Sequence, residues 1–169
     1  NCDILLMSAT PIPRTLMLAF YGDMDVSKLV EKPKNRKEII TLSKPEEKID
    51  EVLSFLKKEI YNGNQIFWVC PLIEESKKLD FSAATKKFIL LSKKFNNRVG
   101  LIHGALKNDE KKKVLNEFLK KKIDILVSTT VIEVGIDFPN ANIIVIENSN
   151  KFGLSQLHQL RGRIGRGFK

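Results

Sequence analysis

The chain has 169 residues, 43% hydrophobic and 29% charged, enough apolar material for one buried core, or one domain with a fragment of its neighbour. It has no run of 18 apolar residues and no basic stretch ahead of an apolar one at Asn1-Cys2-Asp3, which argues against a helical membrane span and a signal peptide. Cys2 and Cys70 are too few for a disulfide framework or a four-cysteine zinc site, so a reducing cytoplasm is expected, and the net charge of +9 favours polyanionic partners over acidic repulsion.

The charge is uneven. Residues 1–84 hold 12 basic and 13 acidic side chains, whereas residues 85–169 hold 17 and 7. A local excess of this kind attracts nucleic acid or nucleotide phosphate, although a lysine-rich surface also serves solubility alone. Only six arginines are present, and three of them, Arg161, Arg163 and Arg166, fall within six residues.

Taken in chain order, apolar runs of strand length alternate with segments of helical period, the pattern of an α/β layer fold with a mostly parallel sheet. Strands are expected at Ile4–Met7, Val26–Val30, Ile39–Leu42, Gln65–Cys70, Val99–Ile102, Ile125–Ser128 and Ile143–Glu147. The polar stretch Glu31–Lys37 contains Pro33 and reads as a linker. A first helix is expected from the capping-box pattern Ser43-Lys-Pro-Glu46 through Ile49, Val52, Leu53, Leu56 and Ile60 to Asn62-Gly63. Phe81, Ala84, Phe88, Leu91 and Phe95 form a second apolar stripe; Val114, Leu115, Phe118 and Leu119, led by Asn108-Asp109, form a third. Leu154, Leu157 and Leu160 give a further helix that stops at Gly162. The first strand starts without a turn before it, and the chain stops just after its most distinctive motif. The expected organisation is the tail of one lobe plus a linker over 1–37 and a second lobe, cut at its end, over 38–169.

Hydroxyls or a His-Gly pair follow several of the apolar strands: Ser8-Ala-Thr10, His103-Gly104 and Ser128-Thr-Thr130. In open α/β folds ligands bind at strand carboxyl ends. Alone, these residues also read as helix caps and turns. Gln159-Leu-Arg-Gly-Arg-Ile-Gly-Arg166 adds two arginines, each following a glycine. A guanidinium stays protonated and bonds two phosphate oxygens at once, but such a string alone also suits a flexible RNA-binding segment. Trp68 on its apolar strand reads as core, and Cys70 as a buried, inert thiol. Asp50-Glu-Val-Leu53 lies inside an amphipathic helix and reads as a solvated face. The lysine triplets Lys111–Lys113 and Lys120–Lys122 read mostly as solvated helix ends.

Met7-Ser-Ala-Thr-Pro-Ile-Pro-Arg-Thr15, Tyr21–Val26, Trp68-Val-Cys-Pro-Leu-Ile-Glu-Glu-Ser76, Thr129-Thr-Val-Ile-Glu-Val-Gly-Ile-Asp137 and Phe152–Arg163 occur in order. Together they resemble the RecG family of bacterial superfamily 2 DNA helicases over nearly the whole chain. Most blocks are shared with the Mfd translocases; Trp68–Ser76 points to RecG. The resemblance implies a three-layer RecA-like second helicase lobe, preceded by the end of the first lobe. The implied activity is ATP-driven remodelling of branched DNA, such as stalled forks and Holliday junctions, in recombination and repair.

By the same resemblance, Arg163 and Arg166 would reach the γ-phosphate of ATP, with Arg166 as the finger. Gln159 would hold the motif against the nucleotide, Asp137 would bond the ribose and Gly135 would allow the turn. Gly104 with Thr129 or Thr130 would hold the nucleic-acid backbone. Ser8 and Thr10 would couple ATP state to lobe movement, with Arg14 beside them. ATP and Mg2+ would be held mostly by the first lobe, and the partners would be forked DNA, that lobe and an N-terminal wedge domain. No glycine is followed by lysine, so a phosphate-binding P-loop is missing and this chain alone should not hydrolyse ATP. Two other readings stay open: an Mfd-like translocase, and a non-catalytic nucleic-acid module using the lysine triplets.

Overall fold

The computed structural model describes Met7, Asp25, Ser27 and residues 38–71, 77–129 and 138–165. The strands expected at Ile4–Met7 and Val26–Val30 and the linker Glu31–Lys37 lie outside the described residues, apart from Met7 and Ser27.

A 3-10 turn, Glu46–Lys48, leads into helix α1 (Ile49–Tyr61). Leu53 and Leu56 are buried and Ile49, Val52 and Ile60 flank them, so the helical period carries one face into the core. The helix ends as the sequence indicates. Gly63 sits at φ +86° and donates its N–H to Ile60 O at 2.9 Å, the left-handed stop that glycine adopts without steric cost. The start differs from expectation. No capping box forms at Ser43; Pro45 precedes the 3-10 turn, and no side chain caps the turn or α1. The turn bonds Lys48 N–H to Pro45 O at 3.1 Å, which satisfies locally a donor that a cap would have served.

Four parallel strands follow: β1 (Gln65–Val69), β2 (Val99–Ile102), β3 (Ile125–Ser128) and β4 (Ala141–Ile146). They stand in the order β2-β3-β1-β4. Between and after them run α2 (Lys77–Lys94), α3 (Asn108–Leu119) and α4 (Leu154–Arg161). The last strand begins two residues before its expected start and leaves Glu147 beyond its end. The strand expected over Ile39–Leu42 is not formed. Ile39 packs on the core, but Ile40 and Leu42 are 82% and 77% exposed. An apolar run makes a strand only beside a partner that takes up its backbone groups, and none of the described strands pairs with this one. Helix α3 is entered from Lys107, whose N–H donates to Glu110 Oε2 at 3.0 Å; Asn108, expected to lead the helix, is its first residue.

Strand alternation divides the core between two faces. Ile66 and Trp68 of β1, Val99 of β2 and Ile125 and Val127 of β3 share one face with Leu53 and Leu56 of α1 and Ala84 and Leu91 of α2. Phe67, Ile102 and Leu126 point the other way, where Leu115 and Phe118 of α3 cover them with Phe138 and Ile164. The side chain of Phe81, expected in the α2 stripe, is outside the described set. The result is a three-layer α/β sandwich with a parallel central sheet. The chain goes from β1 past β3 to β2, then reverses to β3, and right-handed crossovers require the two helices to take opposite faces when direction reverses.

Three residues fix the end of the sheet remote from the strand carboxyl termini. Gln65 is buried, and its Nε2 donates to Phe118 O at 2.6 Å and Ile123 O at 2.7 Å, tying the start of β1 to the last turn of α3 and to the turn that follows it. Arg98 bonds both oxygens of Asp124 at 2.6 and 2.8 Å and Lys121 O at 2.7 Å. Gly100 lets α3 approach β2; a Cβ there would lie 2.9 Å from Val114 Cγ1 and Ile123 Cδ1.

Candidate functional site

All four strands run the same way, so their carboxyl ends form one rim, and backbone bonds stitch it together beyond the strands. Thr129 N–H donates to Ile102 O at 3.3 Å, Cys70 N–H to Ser128 O at 2.8 Å and Glu147 N–H to Val69 O at 2.9 Å. Along the rim stand His103 and Gly104, then Thr129, Cys70 and Glu147. Two of the expected nucleic-acid residues, Gly104 and Thr129, therefore follow neighbouring strands. Gly104 is exposed with nothing within 4 Å of where a Cβ would be, leaving room for a backbone to approach. Thr129 is only 4% exposed. His103 is held below its ordinary imidazole pKa, by burial first and then by the Lys111 charge, against the opposing effect of Glu110. Ser8, Thr10, Thr130, Gly135, Asp137 and Arg166 lie outside the described residues.

The arginine motif is built from a helix and a pinned turn. Gly153 N–H donates to Gln156 Oε1 at 2.9 Å, which opens α4; Gly162 closes it by donating to His158 O at 3.0 Å. Leu160 is buried, but Leu154, counted in the apolar stripe, is 87% exposed. Beyond the helix Ile164 is buried in the same cluster as Ile102 and Leu126, and Gly165 takes φ +72°, a conformation L side chains rarely adopt. The turn is therefore anchored on the α3 face of the sheet. Gln159 is exposed and Arg163 half-buried.

The three described arginines have different roles. Arg98 is fully engaged by Asp124 and Lys121. Arg161 Nη2 donates to Ile39 O at 3.2 Å, tying α4 to the segment before α1. Arg163 has no side-chain hydrogen bond or ion pair among the described residues. A guanidinium held half-buried on an anchored turn, with no partner among the described residues, suits an external anion with several oxygens.

Sequence reasoning missed a second cluster on this rim. Lys87 of α2 forms an ion pair with Glu147 and sits 5.3 Å above the Trp68 ring, while Cys70 Sγ lies 3.4 Å from Glu147 Oε2. The available signals were a carboxylate directly after an apolar strand and a lysine beside Phe88 in the α2 stripe. Trp68 is fully buried, as its apolar strand indicates. Burial, then the Glu147 charge, pushes the Cys70 thiol up to about 12.

That shift sets a pH dependence. The protonated thiol is favoured in the folded chain, so its contribution is complete below the ordinary value of 9.0 and is lost as pH rises toward the folded value. In urea unfolding, the stability of the protein relative to its Cys70→Ala variant is expected to fall progressively above pH 9. A difference that is flat from pH 8 to 11 would contradict the assignment.

The model of the helicase conserved C-terminal domain matches residues 31–167. The chain belongs to that family. This helicase C-terminal domain is 54% identical over 167 residues to the ATP-dependent DNA helicase RecG of Thermotoga maritima, covering 98% of the chain and 21% of the relative. It is 52% identical to the RecG of Bacillus subtilis, covering 98% and 24%. A solved structure of RecG bound to a three-way DNA junction superposes with a TM-score of 0.74 at 52% identity, covering 95% of this chain and 21% of that one. The helicase domain thus spans about a fifth to a quarter of the length of these relatives. Its fold is the RecA-like second lobe that the motifs imply. Among the described residues no helix is long and apolar enough to cross a membrane.

Proposed function

We propose that this chain is the second motor lobe of an ATP-dependent DNA helicase that remodels branched DNA, the forks and junctions of recombination and repair. The observation that carries the reading is the likeness, at 52% identity over 95% of the chain, to a RecG held on a three-way junction. Residues 1–37 would be the end of the first lobe with its linker, and 38–169 the second lobe. ATP with Mg2+ would lie between the lobes, mostly on the one outside this chain, in the cytoplasm. ATP supplies the free energy that drives lobe closure.

The guanidinium of Arg163, without a partner among the described residues, fits a phosphate of that nucleotide. Arg166 would supply the second cation and act as the finger, Gln159 would hold the motif to the cleft, and Asp137 would bond the ribose while Gly135 allows the close turn. Phosphoryl transfer asks mainly for positioning and charge stabilisation. Gly104 and Thr130 would touch the nucleic-acid backbone. Thr129, being buried, would act through its backbone and by orienting its neighbours. Ser8 and Thr10 would relay closure from the first lobe, so that each change in nucleotide state alters the spacing of contacts on the DNA.

The test is the full-length protein carrying Arg166→Ala, assayed for DNA-stimulated ATPase and for binding to a three-way junction. Turnover is expected to be lost while junction binding survives. Loss of binding with normal turnover would overturn the reading.

A further inference from the structure

Glu147 directly after β4, Cys70 directly after β1, Trp68 of β1 and Lys87 of α2 meet where β1 and β4 end. The Lys87 and Glu147 side chains are 21% and 25% exposed. An ion pair screened to that degree retains more of its Coulomb energy than one at the surface, and the Trp68 face adds attraction for the ammonium. Lys87 makes both contacts at once, so it locks the middle of α2 to the ends of two strands.

The chain that leaves Glu147 is short and internally bonded. Asn148 is left-handed at φ 46°. Lys151 N–H donates to Asn148 O at 2.8 Å and Phe152 N–H to Ser149 O at 3.1 Å, closing the 3-10 turn Ser149–Lys151. Gly153 then enters α4, with Leu157 N–H bonded to Gly153 O at 3.0 Å. Six residues, 148–153, three of them in the 3-10 turn, join the carboxylate to the helix that carries Gln159 and leads to Arg163, a short tether through which a displacement at Glu147 can reach α4.

We infer that Glu147, clamped by Lys87 and Cys70, is a positioning residue that sets the orientation of the arginine-bearing helix. The proposal rests on the ATPase reading above, since that is what Arg163 and Arg166 would be positioned for. It assigns Glu147 no contact with nucleotide. Its effect should appear in turnover rather than in affinity, because misplacing a charge-stabilising group raises the barrier more than it weakens ground-state binding.

The experiment uses the full-length protein with Glu147→Gln, Lys87→Met, Lys87→Arg and the double variant Lys87→Met/Glu147→Gln. For each, kcat and KM for ATP, three-way-junction affinity and Tm are measured. Glu147→Gln and Lys87→Met are each expected to lower kcat about tenfold, with KM and junction affinity within about twofold. Lys87→Arg keeps the cation and its stacking and should restore most of the turnover. The double variant should be no worse than either single one, because both break one contact. Normal kcat in Glu147→Gln, a loss of kcat explained by a lower folded fraction, or multiplied losses in the double variant would overturn the inference. If Arg166→Ala is inactive while Glu147→Gln is normal, only this inference falls; if Arg166→Ala keeps its turnover, the ATPase reading falls and takes this one with it.

Discussion

Arg163→Ala in the full-length protein is expected to lower DNA-stimulated ATP turnover by about 10³- to 10⁵-fold, the range an arginine supplied to a γ-phosphate is worth in related phosphoryl transfers. Arg163 is half-buried, follows a helix opened by Gly153 and Gln156, precedes a residue locked in the core, and has no carboxylate partner among the described residues. A cation held in that way is preorganised, so little reorganisation is needed when charge develops on the substrate. The double variant with Arg166→Ala should lose scarcely more than the worse single variant, because groups acting on one transition state are not additive. Arg161→Ala is the internal control. Its guanidinium is bonded to the Ile39 carbonyl, and turnover should stay within a few-fold of normal, as expected of an exposed structural contact. Equal losses at 161 and 163 would mean that the whole turn, and not one guanidinium, is being read out.

Phe118→Ala is expected to destabilise the domain by about 3–5 kcal/mol, the usual cost of removing a fully buried phenylalanine. In thermal unfolding this corresponds to a fall in Tm of roughly 6–20 °C for a domain of this size. The Phe118 ring is 0% exposed. It sits 5.4 Å from Phe67, tilted at 36°, and 5.4 Å from Phe138 at 67°, and those two rings meet at 79° across 5.4 Å. Edge-on rings of this kind gain energy beyond the area they bury. The Phe118 carbonyl also accepts from Gln65, so α3, β1 and the turn into β3 meet at one residue. The neighbouring Leu119 is 41% exposed, and Leu119→Ala should stay within about 1 kcal/mol. A Tm change at 118 no larger than that at 119 would refute the core assignment. The same cluster contains Ile164, so a softened core should also loosen the arginine turn.

The parallel sheet was legible because β1, β2 and β3 are buried on both faces and read as continuous apolar runs. Val99–Ile102 and Ile125–Ser128 are found with the bounds the sequence indicates, and Gln65–Val69 differs by one residue. The Asn62-Gly63 stop was legible for a local reason, the backbone freedom of glycine. Ile39–Leu42 misled because a short apolar run resembles a strand while none of the four described strands pairs with it. Ser43–Glu46 misled because a capping pattern competes with a proline-led turn, and the turn took the donor.

For the candidate site, the motif order and the residue types came from the sequence: His103-Gly104, Thr129-Thr130 and the arginine string all follow apolar strands or helices in one dimension. Which arginine is left for a ligand did not. Arg98, Arg161 and Arg163 are chemically identical; only folding gives the first to Asp124, the second to the Ile39 carbonyl, and leaves the third without a partner among the described residues. Glu147 and Lys87 are 60 positions apart and carry no shared motif, so their pairing becomes visible only when folding brings the Lys87 side chain to the ends of β1 and β4. Periodicity, glycine stops and motif order are properties of neighbouring residues and survive in the string of letters. Partnerships between distant charges depend on sheet order, β2-β3-β1-β4, which the buried faces of the helices decide together and no single segment encodes.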